Sequence, residues 1–142
     1  MTVVGDARTK LYDAVIARAP VAAWRIHRVT PSQVVAPCAY LDSAELGPDT
    51  IEGAAIVVTT FPIVVVHDGA VRAQVEALDD MLATVYAAAL DAGGDPAQSR
   101  PVNLDVGGPT LRAHVLRVGF LVHAQTFCAP SLVAAVNGGG GS

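Results

Sequence analysis

Ala54-Ala55-Ile56-Val57-Val58-Thr59-Thr60-Phe61-Pro62-Ile63-Val64-Val65-Val66-His67 is the stretch that decides the fold. From Ile56 to Val66 nearly every residue is apolar or β-branched, at odd and even positions alike. Strict alternation would mark a strand with one wet face, whereas an unbroken apolar run marks a strand covered on both faces. One cover can be a helix of the same chain, and the other a neighbouring subunit. Pro62 has no N–H to give to a ladder, so it marks either a bulge or the point where pairing changes partner. The run is shorter than the roughly 18 apolar residues that span a bilayer, and Thr59, Thr60 and Pro62 interrupt it. No membrane partner is expected.

Downstream, Asp68-Gly69 opens a helix over about Ala70–Asp91, with Val71, Val75, Leu78, Leu82, Val85 and Ala89 as its apolar stripe. Gly93-Gly94 stops it. Val102–Val106 and Leu111–Ala124 then read as a hairpin around Gly107-Gly108-Pro109. In its second arm Leu116, Val118, Phe120 and Val122 face one way. Upstream, Asp42–Gly53 reads as a polar loop carrying Asp42, Glu45, Asp49 and Glu52. Val34–Leu41 is a shorter extended segment whose Pro37 favours a sheet edge. Val21–Val29 is strand-like, with Trp24, Ile26 and Arg28 on one side and Arg25 and His27 on the other. A first helix, capped by Asp6 and ended by Pro20, buries Leu11, Tyr12, Val15, Ile16 and Ala19. The order predicts an α+β fold: a mainly antiparallel sheet with two helices packed on one face. It forms one domain over residues 1–124, followed by a C-terminal arm, 125–142, whose Gly138–Ser142 end resembles a linker as much as a native terminus.

Composition narrows the function. Hydrophobic residues make up 52% of the 142 and charged residues 15%, against about 25% charged in ordinary domains. One small core cannot hide that much apolar surface, so part of it is expected to face other subunits. The net charge of −4 and the scatter of the basic residues argue against a nucleic-acid site, which needs a basic patch. Cys38 and Cys128 read as buried free thiols rather than a disulfide pair. No charged-then-apolar leader opens the chain, and a soluble protein made in a cytoplasm is expected.

Residues able to do chemistry are present without a pattern that would use them. His27, His67, His114 and His123 include no helical i, i+4 pair of the kind that binds zinc. His114 is expected on a solvated sheet face, and His67-Asp68 reads as a turn with Asp68 as helix cap. Asp79 and Asp80 point about 100° apart on a helix, which suits a solvated face better than a metal pair. No serine lies in a G-x-S-x-G turn. The glycines at 138–141 precede neither a helix nor a lysine, so they form no phosphate loop. No catalytic residue, metal or cofactor is expected.

The whole element order resembles the tail terminator family of long-tailed phages. Val35-Ala36-Pro37-Cys38-Ala39-Tyr40-Leu41 looks like that family's apolar segment after the first helix, and Ala54–Pro62 like its long central strand. The helix Val71–Leu90 and the closing strand Leu111–Val122 follow in the same order, so the resemblance covers about residues 6–124. It implies a structural virion protein at the head–tail junction, assembled in the host cytoplasm. Six copies would form a homohexameric ring that caps the tail tube, ends its elongation and joins a neck or head–tail connector protein, while DNA passes through without specific binding. Candidate interface residues are Ile56, Val58, Val64 and Val66 on the central strand, and Phe127, Leu132, Val133 and Val136 on the arm. Asp42, Glu45, Asp49 and Glu52 are candidates to line the bore or dock a neighbour, since an acidic wall repels phosphates. Other readings stay open: another neck component such as a head completion or stopper protein, a non-viral secretion-tube component, or a small ligand-binding or enzymatic α+β domain.

Overall fold

The computed structural model describes residues 3–19, 24–51, 53–67, 71–104 and 111–123, side chains at 51, 71–74 and 123 apart. The elements are α1 (Val3–Arg18), β1 (Arg25–His27), β2 (Cys38–Leu41), β3 (Glu45–Ile51), β4 (Ala54–His67), α2 (Val71–Asp91), β5 (Asp95–Pro96), β6 (Arg100–Leu104) and β7 (Leu111–His123). This is the expected α+β class: two helices on a mixed, mostly antiparallel sheet of seven strands. β4 and β7 form its spine, paired from Ile56↔His123 to His67↔Arg112. β6 and then β5 line the free edge of β7.

The free edge of β4 explains both a success and a failure of the sequence reading. β2 pairs only with Ile63–Val66, in the register Cys38↔Val66 to Leu41↔Ile63. That leaves the backbone groups of the other half of β4 needing partners. The segment expected to be a polar loop, Asp42–Gly53, supplies them. Glu45–Ile51 is a strand, paired residue for residue with Ala54–Thr60. Pro48 and the acidic residues suit it poorly to a sheet interior but not to an edge. Of the residues between the two strands, Gly53 has φ 80°, a conformation glycine adopts without steric cost. Pro62 sits at the seam between β2 and β3. Its carbonyl accepts the N–H of Asp42 at 2.8 Å, so its missing donor falls on that same edge, where pairing changes partner. The pairing with β7 runs through Pro62 without a bulge.

Three further expectations shift. Pro37 does not mark an edge strand, because β2 lies between β1 and β4. Proline stands just before the strand, where no donor is required, and its carbonyl accepts the N–H of Arg25 at 3.2 Å. α1 begins at Val3, so Asp6 lies in its first turn rather than at its cap. Its buried residues are Leu11 and Val15, while Ile16 is exposed. The first arm of the last hairpin starts at Arg100 rather than Val102; its expected end at Val106 and the connection lie outside the described residues, as do Pro20 and Asp68.

β4 is apolar on both faces, as its sequence requires, and each face has its own cluster. On the helix side Phe61, Ile63 and Val65 meet Leu116, Val118 and Phe120 of β7 and Leu78, Met81, Val85, Ala88, Ala89 and Ala92 of α2, with Leu11 and Val15 of α1. The stripe expected on α2 holds at Leu78, Val85 and Ala89, but Val75 is exposed. On the opposite face Val64 and Val66 pack with Cys38, Tyr40 and Ala113, flanked by Val34, Ala36, Val102, Leu104, Leu111 and Val115. Side chains of the same chain, not a helix, cover the second face around Val64 and Val66.

Candidate functional site

The geometry of the sheet divides the candidate interface residues. Val66 has no exposed surface and Val64 is 5% exposed, both closed over by their own chain. Ile56 and Val58 share their face, beyond the point where β3 takes over from β2. Ile56 is buried and Val58 half-buried. Opposite Val58 stands Leu121 of β7, 58% exposed. Leu121 was not anticipated. The available signal was an isolated large apolar residue at the odd positions of β7, whose neighbours are Arg117 and Gly119. Phe127, Leu132, Val133 and Val136 lie outside the described residues.

This end of the sheet outruns α2. β4 spans about 46 Å at about 3.3 Å per residue, whereas the 21 residues of α2 span about 32 Å. α2 starts beyond His67 and ends against β7 near Val118 and Phe120. The ribbon of β3, the first half of β4 and the last residues of β7 therefore projects past the α2 terminus. Leu46 on the helix side and Leu121 on the other are each more than half exposed.

The acidic candidates are partly neutralised. Glu45 pairs with Arg117, tying β3 to β7 across β4. The carboxylate of Asp42 accepts from the Thr30 hydroxyl at 2.7 Å and from the Ser43 N–H at 2.8 Å. Asp49 accepts from the Thr50 N–H at 2.7 Å. Glu52 lies outside the described residues. By register Glu45 and Asp49 belong to the same face as Ile56 and Val58. A uniformly negative wall is thus replaced, on the described part, by a ribbon mixing one ion pair, one exposed acid and apolar residues.

Arg8 buttresses the root of this ribbon. Its guanidinium donates to the carbonyls of Arg28 (2.9 Å), Leu41 (3.0 Å) and Asp42 (2.9 Å) and lies 5.0 Å from the centroid of the Phe61 ring. Burial, then the charge of Arg28, lowers its pKa, while Asp42 opposes them. Sequence reasoning missed this role. The signal was position: Arg8 stands three and seven residues before Leu11 and Val15, on their buried stripe. Arg28 completes the tie, donating to the Thr9 hydroxyl at 2.9 Å and the Gly5 carbonyl at 3.2 Å.

Among the described residues no three His, Cys, Asp or Glu lie close enough together to hold a metal ion, and no helix is long and apolar enough to cross a membrane. His114 does not lie on a solvated face. It is half-buried on the helix side opposite Val65, and its Nδ1 has no hydrogen-bond partner among the described residues. A cleft of about 250 Å³ beside α2 is lined by Trp24, Pro37, His67, Asp80, Met81 and Thr84. The chain matches no family model, and no curated protein is significantly similar to it.

Proposed function

We propose that this chain is a structural ring subunit of the tail terminator kind. It would cap a tail tube in a virion and present a surface to a neck protein, and it would carry no catalytic residues of its own. The observation that carries the reading is the projecting ribbon. A β-sheet end that outruns α2 leaves Leu46 exposed on the helix side, Leu121 stands exposed on the other face, and an isolated subunit gains nothing from either exposure. A ring, in which each ribbon lies against the next subunit, would bury both. The element order resembling that family, the low charge content and the net acidity support the same reading. In such a ring Asp49, with Glu52, would be available to a bore through which DNA slides.

The test is the native mass of the purified protein by light scattering and native mass spectrometry. A ring reads as a closed multiple of the chain, six by the resemblance, constant over a tenfold dilution. A monomer at micromolar concentration sinks the reading. A second reading, a small ligand-binding domain, draws on the Trp24–His67–Asp80 cleft. It requires a monomer whose Trp24 fluorescence responds to a small molecule.

A further inference from the structure

α2 carries two apolar faces, and the core uses only one. Leu78, Met81, Val85, Ala88, Ala89 and Ala92 are buried against the sheet. On the outside Ala83, Tyr86, Ala87 and Leu90 recur at helical spacing and, with Ser99 and with Leu82, which also packs against the core, line an open apolar groove of about 440 Å³. Tyr86 is 43% exposed and Leu90 57%. Among its lining residues only Asp79 is charged.

We infer that this groove is the seat of the segment Phe127–Val136 of a neighbouring copy; the inference rests on the ring reading above. The segment fits the groove chemically. Residues 124–142 contain no charged side chain, and Phe127, Leu132, Val133 and Val136 supply the apolar groups. Its point of departure sets the direction. α2 follows β4 and runs alongside β7 in the same sense, ending where Gly94 lies against Val118 and Phe120. β7 continues past that point to His123, about 10 Å further at strand rise. The chain therefore leaves the sheet heading away from its own groove. Returning to it would need a full reversal, whereas continuing onward leads to whatever subunit lies beyond. Each copy would offer one arm and one groove, a head-to-tail arrangement that closes into a ring.

Cys128, next to Phe127, is a built-in reporter. In Leu90→Cys, mild oxidation of the assembled protein should link the introduced thiol to Cys128 of the next chain, giving a non-reducing ladder that ends at the ring number. Leu90→Cys combined with Cys128→Ser should give none. Protection gives a second measure. Chymotrypsin should cut after Phe127 at least tenfold faster in Leu90→Asp than in the unaltered protein, with the folded domain left intact in both. A ring mass without the ladder overturns the docking and leaves the ring reading standing. A monomer mass with the disulfide closed inside one chain overturns both.

Discussion

Cys38 shows how one buried side chain fixes the pH response of the less covered sheet face. It has no exposed surface, between Tyr40 and Val66. Burial pushes its thiol from 9.0 up to about 11, against smaller opposing effects of a hydrogen bond with Val35 and the charge of Arg25. A folded pKa above the unfolded value means that the fold prefers the neutral thiol. Its contribution is complete well below 9.0 and is lost as pH rises from there through 11. The difference in unfolding free energy between the unaltered protein and Cys38→Ala should be flat from about pH 7 to 8 and shrink from about 8.5 to 11. At about pH 8 a thiol reagent should label Cys38 on the order of a hundredfold more slowly than an unfolded control, since the thiolate is the reacting form. Equal labelling in both states would refute the buried placement. Arg8 and Thr59 illustrate opposite ways of placing polarity in the interior. Arg8 is tolerated near Phe61 because three carbonyls receive its N–H groups. Thr59 is fully buried with its hydroxyl unpartnered among the described residues, a cost that falls on the strand forming the spine of the sheet.

At the level of elements, the end of α2 is the most sharply specified junction. Gly93 has φ 81° and donates to the Leu90 carbonyl at 3.0 Å, while Gly94 donates to the Ala89 carbonyl at 2.9 Å. This is the paired bonding of a Schellman cap. The two glycines are required for different reasons. At Gly93 a side chain would strain the left-handed backbone, a cost of about 1–2 kcal/mol. At Gly94 a Cβ would stand 2.5 Å from Val118 Cγ1 and 3.2 Å from the Ala89 carbonyl, so α2 would have to lift off β7, a cost of about 1–3 kcal/mol. Urea titration of Gly93→Ala and Gly94→Ala should show both losses, and a Gly94→Ala as stable as the parent would contradict this packing. That cap was legible in the sequence, as were β4, α2 and β7, because long apolar patterns and paired glycines dominate their surroundings. β3 was not legible. Glu45-Leu46-Gly47-Pro48-Asp49-Thr50-Ile51 has turn composition, and it is a strand only because β4 offers it an unpaired edge. β5 is two residues long and leaves no periodicity to read. The position of β2 misled for the same non-local reason: the order of strands in a sheet is set by partners distant in sequence.

For the whole molecule, the distinction between a core and an interface is where sequence reasoning stopped short. The apolar run of β4 predicts cover on both faces but does not say whose atoms provide it. Val64 and Val66 turn out to be covered by their own chain, whereas Val58 is only half-buried and Leu121, across from it, stands out in solvent. The difference between Val64 and Leu121 can be measured. Val64→Asp would put a carboxylate among Cys38, Tyr40 and Ala113 with no partner, a cost of several kcal/mol, so it should lower the unfolding midpoint of the subunit itself. Leu121→Asp changes a side chain that the single chain leaves exposed, and away from core features such changes stay within about 0.5 kcal/mol. Its fold should therefore survive. If the ribbon meets a neighbour, the new charge is buried only in the assembly, so the native mass should fall to that of a monomer or small fragments of the ring while far-ultraviolet circular dichroism and the subunit midpoint stay unchanged. A Leu121→Asp protein that keeps both its fold and its full mass would move the subunit contact away from the ribbon.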